Sequence, residues 1–369
     1  MTADTSYPAI VDGHNDTLLR LIRGRGQLQT QFHEEGTEGH LDLPRMRKGG
    51  MAGGFFAMYT PDPEFRENSP RAAASDQCCT PSDPDSRGDV ARPSRGQEVP
   101  QDYALDFVLR MFAILLDLDR TLSPEFSLVR TVPELLEALA NDRCLAIAHI
   151  EDASPLDPEL TLLPLLYDLG LRSIGLVWSR TNAFGYGVSF DFPGSPDQGP
   201  GLTGPGKTLV KVCNNLGIMI DLSHLNEKGF WDVAELSQDP LVATHSCVHI
   251  LSNSARNLTD LQLDAIAETN GLVGINFNTG FLRADGASDT STSYTEIVRH
   301  AAYVADRIGI DHVALGSDFD GATMPGDLSD CSKLPALMAS LEETGFDASD
   351  LRKLAHGNWI RVLQQTWHH

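Results

Sequence analysis

Apolar positions fall along this chain in short, nearly unbroken runs, separated by polar loops and by longer stretches with helical spacing. Eight runs stand out: Ile10–Val11, Gly54–Tyr59, Cys144–Ile150, Ser173–Trp178, Gly217–Leu222, Leu241–Thr244, Gly271–Phe277 and His312–Gly316. Runs without polar alternation are what strands covered on both faces produce. Asp102–Leu118, Thr131–Asn141, Thr208–Leu216, Glu227–Leu236, Thr259–Glu268, Tyr294–Ile308, Leu334–Thr344 and Asp347–Gln365 read as helices between or after them. Strands alternating with helices predict right-handed βαβ units and a parallel sheet. Eight units fit a closed (β/α)8 TIM barrel better than an open doubly wound sheet, though the count alone admits both. The whole chain, 1–369, is expected to form one barrel domain.

Two stretches interrupt the rhythm. Pro61–Gln101 is rich in Pro, Ser, Asp and Arg; it reads as a long insertion, either a surface loop or a lid over a site. Gly185–Gly206 is rich in Gly and Pro and follows the fourth run. In a barrel, loops after strands rim the active face.

Composition narrows the class of partner. The formal net charge of −23 repels phosphate backbones and anionic lipid, which argues against nucleic acid and membrane surfaces. No apolar run reaches the length of a membrane span, and the first residues lack a basic stretch followed by an apolar one. The six cysteines form no CxxC pair and read as free thiols, pointing to the cytoplasm. A homodimer is expected on frequency alone.

The candidate chemistry sits where the strands stop. The first run leads into Asp12-Gly13-His14-Asn15-Asp16, and residues two apart on a strand face the same side. The third run leads to His149 and Glu151, the fifth to His224, the sixth to His245 and the eighth to Asp318. Taken alone, an HxD is weak, since Asp16 could simply cap a helix. A barrel gathers all these ends on one face, however, and burying so many ionisable groups together without a cation is costly. Imidazoles and carboxylates without thiolates suit zinc, and also manganese, cobalt or iron. Five ligands exceed the usual three of a catalytic zinc and favour two divalent ions sharing a carboxylate.

These residues resemble the membrane dipeptidase (renal dipeptidase) family of the amidohydrolase superfamily. The likeness lies in DGHND at 12–16, GLTGPGK at 201–207, DLSH at 221–224, THS at 244–246 with NSARNL at 253–258, GSDFDG at 316–321 and GNWIRVL at 357–363. The resemblance implies that His14, Asp16 and Glu151 hold a first ion, with Glu151 bridging to a second held by His224 and His245. It implies attack on a scissile carbonyl by a hydroxide bridging two zinc ions. Asp318 would serve as base and then acid, and Arg256 would take the substrate's C-terminal carboxylate. The substrates implied are dipeptides, including L-Xaa-D-Yaa.

The chain departs from that pattern twice. Many members carry Leu-Thr-His after the fourth strand, where this chain has Leu176-Val177-Trp178. His149 or Arg180 could replace the missing donor, or His149 could fill a deeper barrel layer. Asn278 stands where the mammalian pattern has an aromatic, so Asn278 and Trp178 are expected to bear on side-chain preference. Two other readings stay open. The same site could serve another amide, a cyclic imide or a lactone, or the chain could bind metal without catalysis. Gly201–Thr208 formally fits a phosphate-binding loop, but the Gly- and Pro-rich residues before it cannot form the required strand. Asp12, Asp221 and Asp320 could orient metal ligands from behind.

Overall fold

The computed structural model describes residues 7–24, 28–63 and 96–368. Most of the 61–101 insertion (residues 64–95, with Cys78 and Cys79) therefore lies outside the described residues. Among the described residues nine strands form one sheet: β1 (Ile10–Asn15), β2 (Met51–Met58), β3 (Phe126–Leu128), β4 (Cys144–Ile150), β5 (Leu171–Gly175), β6 (Met219–Asp221), β7 (Val242–Ser246), β8 (Leu272–Ile275) and β9 (Val313–Leu315). Their order is β1-β2-β4-β5-β6-β7-β8-β9, parallel throughout. β9 returns to β1 at their C-terminal ends, where Asp318 N–H donates to the His14 carbonyl (3.0 Å) and Asp16 N–H to that of Phe319 (2.8 Å). The result is the expected barrel of eight parallel strands, nearly closed, with helices around it.

The expected boundaries shift in places. β1 continues to Asn15, so His14 lies on the strand itself. The run Ser173–Trp178 is only partly strand: β5 ends at Gly175, and Leu176–Trp178 are buried in the loop that follows. β3 was not anticipated. It pairs with the first half of one edge of β4, while β5 takes the second half. The helix expected from Thr208 begins at Gly204, capped by the Thr203 side chain. Irregular loop precedes it and Lys207 pairs with Asp232, so the phosphate-loop reading fails.

β4 displays how the strand pattern positions the site. Cys144, Ala146, Ala148 and Ile150 join the core between barrel and helices. Leu145 and Ile147 join the interior cluster with Val11, Phe55, Met219, Val242, Leu272 and Ala314. Period-two alternation then carries His149 and Glu151 up the same inner face. Trp359, on the helix Asn358–Thr366, belongs to this interior cluster and packs on Phe55. A Cβ on Gly13 would collide with both Trp359 and the Thr244 carbonyl, so the residue between Asp12 and His14 is glycine because the barrel interior leaves no room.

His300 is buried in the helix Thr295–Ile308; its Nδ1 accepts from Val248 N–H (3.0 Å), so Nε2 donates to the Leu282 carbonyl (3.0 Å). Burial lowers its pKa from 6.5 to about 4. The unfolded chain therefore takes up this proton first, and the stabilisation is lost as pH falls from 6.5 towards 4. Urea unfolding of wild type and His300→Asn should show a stability gap that closes over that window. A gap constant with pH would contradict it.

Candidate metal centre

The five expected ligands converge. Glu151 Oε1 lies 3.3 Å from His224 Nε2 and 3.9 Å from both His14 Nε2 and His245 Nε2. Asp16 Oδ2 is 3.6 Å from His14 Nε2. Asp16 does precede a helix, Thr17–Arg23, but its side chain makes no capping bond, so the carboxylate faces His14 instead. His14, Glu151 and His245 offer atoms within 4.8 Å of one another, as do His14, Asp16 and Asp318. All these side chains are buried, yet both His14 ring nitrogens and Asp16 Oδ1 lack a hydrogen-bond partner. Buried polar atoms are ordinarily satisfied, so these orphans fit a site built for cations.

The Nδ1 atoms of His224 and His245, turned away from the centre, are anchored. His224 Nδ1 meets Ser179 Oγ at 2.8 Å. His245 Nδ1 meets Thr244 Oγ1 at 2.8 Å, and that hydroxyl donates to Asp221 Oδ2 at 2.6 Å. Such partners fix each ring and leave Nε2 free for a metal; the two Nε2 atoms stand 3.2 Å apart. His224 (φ 67°) and Asp318 (φ 61°) are both in the left-handed region, uncommon for side-chain-bearing residues and frequent at functional positions. A Cβ on Gly316 would meet the Thr244 carbonyl, so the residue just past β9 comes close to β7 across the barrel interior.

Electrostatics agree with a cation site. Burial opposes a charged His14, but Asp16, Glu151 and Asp318 outweigh it and push its pKa up to about 10. Burial raises Glu151 well above the carboxylate range and raises Asp318 too. Burial, with Arg256 and neighbouring histidines, holds His224 and His245 low and neutral, as ligands must be.

The remaining candidates surround this centre unevenly. Asn276 Nδ2 donates to Asp318 Oδ2 at 2.9 Å. Arg256 is 3% exposed; its Nη2 donates to the His245 carbonyl and its Nη1 to Ser246 Oγ, both at 2.9 Å, while Nε has no partner. Trp178 packs against His224 (ring centroids 5.7 Å), Tyr59 and Phe190. Asn278 caps the short helix Thr279–Leu282 with Oδ1 and keeps its buried Nδ2 unpaired. His149 lies one layer below Glu151, with Nδ1 on Ser173 Oγ (2.9 Å) and Nε2 3.6 Å from Asp221. Arg180 is wholly buried and bonded to Asp152, Asp62 and the Thr60 carbonyl. Asp12 accepts from Ser317 N–H and Oγ (both 2.7 Å), bracing the turn before Asp318. Asp320 bonds Thr17, Arg20 and His40 N–H. Ser179, Thr244 and Asn276 were not singled out from sequence; only their places beside Trp178, His245 and Phe277 hinted at them.

Comparison with known proteins accords with this arrangement. The family model described as "Membrane dipeptidase (Peptidase family M19)" matches residues 5–368. A metallo peptidase from Rhodobacter sphaeroides, solved with a phosphinate mimic of the dipeptide L-Ala-D-Ala, is 45% identical. It superposes with a TM-score of 0.91 over 98% of this chain and 100% of its own. A second solved structure, dipeptidase AC, a metallo peptidase of family M19, is 44% identical with a TM-score of 0.91, covering 99% of this chain and 100% of its own. A Klebsiella pneumoniae protein encoded in the pqqA 5′ region is 47% identical over 270 residues, which are 73% of this chain and 99% of that protein. The chain belongs to the membrane dipeptidase family, peptidase family M19, and is a metal-dependent dipeptidase.

Proposed function

We propose that the protein hydrolyses dipeptides at a two-zinc centre and accepts a D-residue at the C-terminal position. The observation that carries this reading is the convergence of three Nε2 atoms on Glu151 Oε1, with Asp318 beside them. His14 and Asp16 would hold one ion and His224 and His245 the other, with Glu151 between the two sets. Ions held there would supply Lewis acidity for the scissile carbonyl and for the attacking water. Asp318 keeps Oδ2 on Asn276 and receives the attacking water's proton, then returns it to the leaving amine. Arg256, buried against β7, takes the substrate's free carboxylate. Trp178 and Phe190 both pack against the His224 ring and would border the substrate on that side.

The D-residue assignment draws on the relative solved with a mimic of L-Ala-D-Ala. Amine release from L-Xaa-L-Yaa and L-Xaa-D-Yaa libraries by zinc-loaded protein tests both parts. Turnover of both libraries is expected. Turnover of the first alone removes the D-residue; turnover of neither, with zinc bound, removes the dipeptide assignment in favour of other amides or lactones. No helix among the described residues is long and apolar enough to cross a membrane. The four described cysteines are buried free thiols, which supports a reducing, cytoplasmic setting.

A further inference from the structure

We propose that Arg180 is a positioning residue for the second ion site, holding Ser179 so that its hydroxyl aligns His224. This rests on the two-ion reading above.

One guanidinium ties together the ends of three barrel strands. Arg180 Nε lies 2.6 Å from Asp152 Oδ2, just past β4. Its Nη2 donates to the Thr60 carbonyl at 2.6 Å and its Nη1 to Asp62 at 3.3 Å, both past β2. Arg180 itself follows β5, and its guanidinium carbon sits 5.3 Å from the Trp178 ring and 5.5 Å from that of Tyr59. All three side-chain nitrogens thus have protein acceptors. A planar, fixed fork of donors suits this knot as an ammonium does not.

The knot's neighbours in sequence are the metal-site residues. Asp152 follows Glu151, and Arg180 follows Ser179, whose Oγ is 2.8 Å from His224 Nδ1. The backbone around Ser179 is pinned as well: Arg180 N–H reaches the Trp178 carbonyl at 2.6 Å, and Gly96 N–H reaches that of Ser179 at 2.9 Å. The two histidines of this ion are supported differently. Thr244, the partner of His245, lies on the same strand and is braced by Asp221. Ser179 comes from a loop, and no carboxylate bonds its hydroxyl among the described residues, so its position depends on Arg180. His224 also holds a left-handed backbone (φ 67°), a conformation that persists only where surroundings enforce it.

The test uses full-length protein and zinc alone. Arg180→Lys and Ser179→Ala are titrated against a chromogenic chelator, and thermal unfolding of the metal-free forms checks the fold. Wild type should bind two equivalents. Both variants should keep one near wild-type affinity and bind the other roughly 10- to 100-fold more weakly, the usual effect of losing a ligand's supporting partner. A merely structural arginine would lower the melting temperature without splitting the two affinities. Unchanged affinities in folded Arg180→Lys overturn the proposal, and a fall in kcat alongside them would make Arg180 a donor to the reacting carbonyl instead. Equal weakening of both sites overturns it also. If Arg180→Lys does not fold, Ser179→Ala decides, and unchanged affinities there refute the route through the hydroxyl. A wild type that binds a single equivalent fails the two-ion reading itself, and this inference with it.

Discussion

Replacing Asp318 with asparagine should leave both ions bound and lower kcat roughly 10²- to 10⁴-fold, the range for losing a positioned general acid–base group. The substitution suits the question because it preserves shape. The turn is held by backbone, with Asp318 N–H on the His14 carbonyl and φ at 61°, and asparagine is among the residues that tolerate that region. Oδ1 of the new amide can still accept from Asn276. What disappears is the ability to take a proton and give it back. Burial raises the pKa of Asp318, so holding a proton costs it less than it would a surface aspartate. A rival role exists, since His14, Asp16 and Asp318 could themselves enclose an ion. Zinc content separates the two: a ligand's loss empties a site, whereas a proton carrier's loss leaves the metal and removes turnover. Steady-state kinetics beside zinc analysis gives both numbers. A kcat within tenfold of wild type would refute the assigned role.

The candidate ligands were legible in the sequence because each lies at or just past the end of an apolar strand, and a barrel leaves such residues one common face. Asp16 shows the limit of that logic. The same HxD pattern describes a helix cap, and only the missing capping bond reveals that the carboxylate turns inward. The end of β5 was misread for a physical reason: Leu176, Val177 and Trp178 are as buried in their loop as strand residues are, and hydrophobicity reports burial rather than backbone conformation. β3 escaped notice because Ser127 divides Phe126 from Leu128, which leaves no continuous apolar run. The hydroxyls of Ser179 and Thr244 carry no sequence signal, because serine and threonine are common and their value here lies in which imidazole they meet. Arg256 is similar: nothing local marks it, and the resemblance alone pointed to it.

Arg256 decides what kind of substrate the centre serves. Among the described residues it has no ion-pair partner; its contacts are a carbonyl, a hydroxyl and the face of Phe281. A buried guanidinium is costly unless it is paired; Asp221, Asp318 and Glu151 act on Arg256 only from beyond ion-pair distance, and a substrate carboxylate would pair with it directly. Both η-nitrogens are already fixed on β7, so little ordering is needed when the anion arrives. Cutting one partner from such a pair costs about 2–5 kcal/mol, so Arg256→Met should lower kcat/KM for free dipeptides by roughly 30-fold or more at 1.4 kcal/mol per decade. The same enzyme pair acting on dipeptide C-terminal amides supplies the control. Wild type should handle amides poorly, and Arg256→Met should hydrolyse acid and amide at similar rates, because the discrimination resides in the arginine. Loss of rate on both substrates alike would mean that Arg256 acts through His245, whose carbonyl it holds, and not on the carboxylate. Activity on neutral lactones that survives Arg256→Met while dipeptides remain unhydrolysed by wild type would transfer this centre to a different substrate class.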